Sequence, residues 1–379
     1  MSSPLEGVLV LDLSRVLAGP YCTMMLGDLG ARVIKVEHPE DGDVTRGWGP
    51  PYHAASGLSA YYLAVNRNKE SIALDLASAA GAESARLLAA RADVVLENFP
   101  PGGLEKFGLS LPAMRAANPR LVTASITGYG RTGPDAPAPG FDLLAQAGAG
   151  LMAITGTPEG GPTKVGVAVS DLIAGCYAAI GILAALEGRA RTGRGGHVET
   201  DLFSATLASL INVAQSALLT GEEAARHGNA HPQIVPYRMF DASDGAFVLG
   251  VGTDRQFERL AALVGRPEWA SGGPFTTNDA RVTGRAALER ELEPIFRREP
   301  RAAWVERCRG AGIPAGPVRG PLEALRSETA RALGSVREAR GVPFVAPPIR
   351  VEGARPPLRF PPALDEDGER LRREFDLPR

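Results

Sequence analysis

Four short runs of apolar residues, set apart by helical stretches, constrain the first third of the chain more than any other feature. They are Gly7–Leu13 (GVLVLDL), Ala31–Glu37 (ARVIKVE), Asp93–Glu97 (DVVLE) and Leu121–Thr127 (LVTASIT). Runs this short, with apolar residues at consecutive positions, suit strands buried on both faces. Helical composition extends from the first run through Leu29 and recurs at Ala79–Ala92 and Pro112–Ala117. A loop with Gly42, Gly47, Pro50 and Pro51, then a return through Tyr61–Leu76, fill the interval after the second run. Strands alternating with helices predict a parallel sheet with crossover helices, a doubly wound α/β fold. His197–Leu202, after the turn Thr192–Gly196 (TGRGG), reads as another strand, and Phe203–Leu219 as a long helix leaving the sheet.

At 379 residues the chain exceeds one ordinary core and suits two domains. Composition changes at Gly221–Tyr237, a polar loop with two His and two Pro. Beyond it lie Ala246–Gly252 as a strand, Asp254–Val264, Ala286–Arg298 (interrupted by Pro294) and Ala302–Gly310 as helices, and the turn GIPAGPV at Gly312–Val318. These make a small α/β or α+β unit. The proline- and charge-rich tail from Pro343 reads as extended structure with a last short helix. The expected division is a large domain over 1–200, a linker helix over 201–228, a small domain over 229–325, and a segment over 326–379 returning to the large domain.

Composition removes several function classes. Apolar content of 44%, charged content of 22% and a net charge of −2 describe a globular protein with no attraction to nucleic acid or an anionic membrane. Three scattered cysteines (Cys22, Cys176, Cys308) fit a reducing cytoplasm, with no disulfide framework and no zinc cluster. The opening MSSPLEGVLVLDLS lacks the basic and apolar segments of a signal peptide. Leu143–Pro158, Leu172–Leu186 and Leu202–Gly221 are uncharged, but the first is broken by glycines and the last carries polar residues throughout, so buried or interfacial helices are expected. No GxGxxG follows the first strand, and Gly156–Lys164 (GTPEGGPTK) has Pro162 where a phosphate loop needs lysine. The four lysines, Lys35, Lys69, Lys106 and Lys164, are therefore a short list of candidates to meet a phosphate.

Val165–Leu186 (VGVAVSDLIAGCYAAIGILAAL) combines a β-branched run ending at Ser170–Asp171 with fifteen uncharged helical residues. Asp171 is the only charge in the stretch and admits two readings. It caps a buried helix, or it is a carboxylate placed where a strand ends and a helix begins. There the dipole keeps it ionised and open α/β sheets bind their ligands, so it could act as a covalent nucleophile.

Six ordered segments now bear on that choice: Leu11–Pro39 (LDLSRVLAGPYCTMMLGDLGARVIKVEHP), Asn66–Leu76 (NRNKESIALDL), Asp93–Gly108 (DVVLENFPPGGLEKFG), Ser125–Pro134 (SITGYGRTGP), Pro139–Gly156 (PGFDLLAQAGAGLMAITG) and Ser170–Arg189 (SDLIAGCYAAIGILAALEGR). Together they resemble the family III coenzyme A transferases, the CaiB/BaiF group, which also includes 2-methylacyl-CoA racemases. The resemblance implies a Rossmann-like large domain with a parallel sheet, a smaller α/β domain and two interlocked chains, an obligate homodimer. It implies no tightly bound cofactor, since coenzyme A or acyl-CoA is substrate, and an enzyme of EC 2.8.3 type; the cysteine usage and the opening residues put the expected location in the cytoplasm.

The family nucleophile, an Asp at the SD position, falls on Asp171. The resemblance thus favours catalysis over capping, though one residue can do both. Positions matching the family's CoA contacts are Leu17, Ala18, His38, Leu74, Asn98, Phe99, Lys106, Gly128 and Tyr129. Lys106 suits a diphosphate as a point charge. His38 stands where an arginine is often found and is a weaker anion contact near neutral pH. Arg15 and Arg46 are either anion clamps or structural ion pairs. The family's glycine-rich loop corresponds to His227–Pro232 (HGNAHP), which departs from the multi-glycine run of formyl-CoA transferases and argues against formyl-CoA/oxalate specificity.

The racemases pair the same Asp with a His in a GHD motif. Here the motif is Gly140–Phe141–Asp142, and phenylalanine shuttles no proton, so two-base epimerisation lacks its second base. Transferase is the expected activity and racemase the alternative. A third reading, a non-catalytic CoA-binding protein, predicts that Asp171→Ala changes nothing. Ala230–Leu260 and Gly312–Val318 look most like the succinyl-CoA:dicarboxylate branch.

Overall fold

The computed structural model describes residues 3–354 and 357–378. Contacts divide the chain into two units: 1–151, 164–222 and 328–379 form the first, 152–163 and 223–327 the second.

The first unit opens with β1 (Leu9–Asp12), α1 (Ala18–Asp28), β2 (Arg32–Glu37), α2 (Ala60–Val65), β3 (Lys69–Ala73), α3 (Ala79–Arg91), β4 (Val94–Glu97), α4 (Leu111–Ala117) and β5 (Val122–Thr127). It continues with α5 (Asp142–Gly148), a single turn α6 (Leu151–Ile154) at the unit boundary, α7 (Val169–Thr192), β6 (His197–Asp201), α8 (Leu202–Ser209) and α9 (Ile211–Thr220). The six strands form one all-parallel sheet in the order β3-β2-β1-β4-β5-β6. That is the doubly wound order, which reverses direction between β1 and β4, where such sheets open a crevice beyond their carboxyl ends.

Successive side chains of a strand point to opposite faces, and both faces here are apolar. Leu11, Ile34, Ile72 and Val95 pack with Leu88 of α3 and Met114 of α4. Val10, Val33, Val94, Leu96 and Val122 pack with Leu26 of α1 and with Ala178 and Ile182 of α7. This double burial is why the strands read as continuous apolar runs rather than alternating ones.

The open edge of β3 is covered by the C-terminal segment. The Ser71 amide donates to Asp367 at 3.0 Å and the Ala73 amide to Asp365 at 2.8 Å, while Arg372 donates to the Ala73 carbonyl at 2.8 Å. Side-chain carboxylates thus satisfy amides that would otherwise template pairing with another chain. The segment ends in α16 (Gly368–Phe375), after α15 (Glu328–Ala332) and the hairpin β10 (Val336–Ala339)–β11 (Val342–Val345).

Two expectations change. The Val165–Ser170 run is not a strand, because α7 begins at Val169 and the residues before it are irregular. The single long helix expected over Phe203–Leu219 is two, α8 and α9, bent by 81° at Leu210, with Ile211 at φ 43°. α7 is long and apolar enough to cross a membrane, but it packs on α1, α8, β5 and β6 as a core helix.

The second unit is a three-stranded antiparallel sheet, β7 (Tyr237–Ala242), β8 (Gly245–Gly250) and β9 (Ala315–Pro317), with α10 (Asp254–Leu263), α11 (Asn278–Thr283), α12 (Arg285–Phe296), α13 (Arg301–Gly310) and α14 (Pro321–Leu325). Its core is aromatic: Phe296 stacks with Phe240, Phe247 and Trp304. Arg281 is fully buried, and its guanidinium is saturated by the Val235 and Phe275 carbonyls and Asp254 while lying over the Phe257 ring.

Candidate active site

The carboxyl ends of β1 to β5 deliver most of the candidate residues to one edge of the sheet: Leu17 and Ala18 after β1, His38 after β2, Leu74 after β3, Asn98 and Phe99 after β4, Gly128 and Tyr129 after β5. Beneath them lies a buried charge network. Asp12 accepts from Lys69 at 3.0 Å and from Thr23 at 2.6 Å; Lys35 pairs with Asp43 at 2.9 Å; Glu37 pairs with Arg46 at 2.8 Å. Burial alone would raise the Asp12 carboxyl, but the Lys69 and Lys35 ammoniums and the Ser14 and Thr23 hydroxyls bring it down to about 2. Two of the four lysines are thus paired with buried carboxylates. Arg46 also donates to Tyr62 and the Pro362 carbonyl, so it is a structural ion pair rather than an anion clamp.

The network fixes the turn after β1. Lys35 donates to the Ser14 carbonyl at 2.9 Å, and Asp43 accepts from the amide of Val16, which sits at φ 69°. Asn98 spends its whole amide on Arg15, accepting from the Arg15 N–H at 2.8 Å and donating to its carbonyl at 2.7 Å. Arg15 makes no ion pair among the described residues, and its guanidinium lies 4.5 Å over the Phe99 ring. It borders a cleft of about 200 Å³ that His38, Leu74, Phe99 and Phe107 also line. Three candidates thus share one apolar cleft with a cation at its rim. Lys106, exposed on the single turn Glu105–Phe107, is not among the cleft's lining residues.

Gly128 also meets a packing need. A Cβ there would stand 2.5 Å from the Gly140 Cα, so the backbones after β5 and before α5 touch. Tyr129 packs its ring 5.9 Å from that of Phe203.

Asp171 sits in the first turn of α7, half-buried. It is not the N-cap expected from the sequence. Ala168 holds that position without a side-chain bond, and the Ser170 amide is taken at 2.9 Å by Asp142 from α5. The backbone N–H of Ala18, at the start of α1, favours the charged form of the Asp171 carboxyl. Gly175, one turn on, permits the approach of α1, since a Cβ there would lie 2.7 Å from the Ala18 carbonyl oxygen. The expectation of an ionised carboxylate also changes. Burial, then the Asp142 charge, pushes the Asp171 carboxyl up to about 7 against the pull of the Ala18 amide. Tyr61 of α2 feels the same field: burial, then Asp171, Asp142 and Asp43, push its phenol up to about 12. The sequence offered no signal for Tyr61; for Asp142 the signal was the GFD triplet, noted only for its missing histidine.

In the second unit, the His227–Pro232 loop is tied down by the Gly228 amide to the Gly156 carbonyl at 2.9 Å and by Arg285 to the His231 and Pro232 carbonyls.

The chain matches the family model for CoA-transferase family III over residues 5–368. It is 39% identical to the acetyl-CoA:oxalate CoA-transferase of Acetobacter aceti, covering 99% of this chain and 96% of that one. It is 45% identical to the succinyl-CoA:glutarate CoA-transferase of Mus musculus, covering 83% and 72%. A crystal structure of a CAIB/BAIF family protein from Brucella suis superposes with a TM-score of 0.88 at 42% identity, covering 99% of this chain and 100% of that one. The chain belongs to CoA-transferase family III, and its mixed α/β fold is that of the CaiB/BaiF proteins. It is a CoA-transferase, of EC 2.8.3 type.

Proposed function

We propose that this enzyme moves CoA from succinyl-CoA to a dicarboxylic acid through covalent intermediates on Asp171. The observation that carries the reading is the Asp171 carboxyl itself. It stands in the first turn of α7, relieved of capping by Asp142 and poised to ionise near neutrality. An Asp171 oxygen attacks the thioester carbonyl, the C–S bond breaks and CoA thiolate leaves, giving a mixed anhydride. The thiolate then attacks the Asp171 carbonyl, releasing the donor acid and forming an aspartyl-CoA thioester. The acceptor carboxylate repeats the first attack on that thioester, and returning thiolate takes the acceptor's acyl group, restoring Asp171. No proton is gained or lost overall, so the site needs nucleophile and oxyanion donors rather than a general acid.

Only the ionised form attacks, so kcat/KM for acyl-CoA is expected to rise with pH to a plateau, with a midpoint near 7 set by Asp171. A pH profile corrected for substrate ionisation measures it.

We further read the cleft as the nucleotide end of the CoA site, with Leu17, Ala18, His38, Leu74, Asn98, Phe99, Lys106, Gly128 and Tyr129 as the CoA-contacting set. The Arg15 guanidinium, which lies over Phe99 and makes no ion pair among the described residues, supports this reading. Arg15→Ala is expected to raise KM for acyl-CoA about 10- to 100-fold, the loss of one charge-assisted contact, while kcat changes less than about threefold. Initial rates against acyl-CoA concentration give both.

The apolar faces left open on α7 and α9, with Ile180 60%, Ile211 75% and Leu218 80% exposed, support a homodimer. The division into a large domain over 1–200 with 326–379, a linker over 201–228 and a small domain over 229–325, and a cytoplasmic location, are part of the same proposal.

Two relatives point to different acceptors, glutarate and oxalate, and the oxalate enzyme aligns over more of the chain. The test is CoA transfer from succinyl-CoA and acetyl-CoA to a panel holding glutarate and oxalate, read by chromatography of the CoA esters. Succinyl-CoA with a dicarboxylate is the expected pair. Transfer from acetyl-CoA to oxalate alone would replace it, and α-deuterium uptake by a 2-methylacyl-CoA without any transfer would favour the racemase.

A further inference from the structure

We propose that Asp142 is a positioning residue for the transfer: its carboxylate holds the first turn of α7, and so fixes where the Asp171 carboxyl stands. The proposal rests on Asp171 as the reacting group.

The first turn of a helix carries amides without partners, which a side chain from the N-cap ordinarily takes. Here the N-cap residue Ala168 supplies none, and the bond comes from another helix. One Asp142 oxygen accepts from the Ser170 amide at 2.9 Å and the other from Gln146 Nε2 at 2.7 Å. Gln146 is fully buried, and its amide oxygen accepts from the Val165 amide at 2.9 Å, so α5 also grips the chain leading into α7. The Ser170 hydroxyl accepts from Thr206 of α8 at 2.7 Å. The residue preceding Asp171 is therefore held from two elements, at its amide and at its hydroxyl.

α5 is itself anchored. Gly140 and Gly128 meet backbone to backbone, which locks the start of α5 to the end of β5. Contacts thus run from the central sheet through Gly140 and Asp142 to Ser170 and Asp171. A displacement of about 1 Å at a reacting carboxylate is enough to cost about 100-fold in rate, so such a brace has a kinetic consequence. The Asp142 charge also acts on Asp171. The groups whose charges couple to this pair are Asp171 and Asp142 themselves and Tyr61 of α2.

Two variants weigh bracing against charge. Asp142→Asn keeps an oxygen for the Ser170 amide but sheds the charge and turns its NH2 toward Gln146 Nε2, losing that one bond; Asp142→Ala loses the charge and both bonds. For succinyl-CoA and the best acceptor at pH 8, Asp142→Ala is expected to lower kcat about 10- to 100-fold with KM for acyl-CoA within about threefold. Asp142→Asn is expected to stay within about tenfold of wild-type kcat at pH 8 and to move the acid limb of kcat/KM down by roughly one unit, as a like charge is removed. A folded Asp142→Ala with wild-type kcat, or an Asp142→Asn whose acid limb does not move, would overturn the proposal. If the alanine variant does not fold, the asparagine profile decides alone. Trapping the acyl-enzyme keeps the two readings apart. An adduct on another residue of the wild type refutes Asp171 as nucleophile. Wild-type acylation rates at Asp171 in both variants refute only the role of Asp142.

Discussion

Asp171→Asn is expected to abolish transfer and at the same time to stabilise the protein at neutral pH. Loss of the nucleophile removes every covalent step, so the rate should fall by roughly three orders of magnitude or more. The stability gain follows from the raised carboxyl. Unfolded, Asp171 ionises at its ordinary 3.8; folded, burial and Asp142 move it to about 7. Below about pH 3 both states are protonated and the group contributes nothing. As pH rises from there to 7, the unfolded state releases a proton that the folded state retains, and wild-type stability falls. Above 7 the penalty is complete, with roughly 4 kcal/mol as its ceiling and about 2 kcal/mol expected for a half-buried group that solvent reaches. Asparagine, which does not ionise, carries no such penalty. Urea midpoints at pH 8 and pH 3 measure it: the variant should be more stable at pH 8 and equal to wild type at pH 3. A wild type that is the more stable of the two at pH 8 would contradict the raised carboxyl.

The second large effect lies under the site. Asp12→Ala is expected to cost about 3–5 kcal/mol, because it leaves the buried Lys69 ammonium with only the Pro20 carbonyl and the Asn66 amide oxygen. Wild-type Asp12, held down to about 2, contributes stability that is complete above its ordinary 3.8 and lost as pH falls toward 2. The variant should lose that acid-side dependence. Its deficit should instead shrink as pH rises and Lys69, already brought to about 8 by burial, discharges. Denaturant midpoints from pH 5 to pH 9 check this. A deficit under about 1 kcal/mol throughout would mean the network is not the foundation of the β1 turn.

The sheet was legible in the sequence for a physical reason: strands buried on both faces leave unbroken apolar runs, and helices between them leave the parallel arrangement as the natural one. β3 was harder to read, because its Lys69, Glu70 and Ser71 belong to a buried ionic network and to an edge covered by Asp365 and Asp367, nearly three hundred residues away in the chain. The bend at Leu210 was illegible too, since the apolar composition continues unbroken across it. Arg15 and Arg46 looked alike in sequence, and only the position of Glu37 beside Arg46 separates them. At Asp171 the motif marked the residue but not its setting. A strand-to-helix boundary seemed to call for an N-cap, yet the cap arrives from Asp142 through tertiary structure, and the same residue helps raise the carboxyl that the helix dipole was expected to keep charged.

The most direct test of covalent transfer is intact-protein mass spectrometry after incubation with succinyl-CoA, with and without hydroxylamine, followed by peptide mapping. The account predicts a succinyl or CoA adduct on Asp171, converted to a hydroxamate at that residue by hydroxylamine and absent from Asp171→Asn. Catalytic transfer from succinyl-CoA by a wild type that never acquires such an adduct, or that acquires it on another residue, would contradict it.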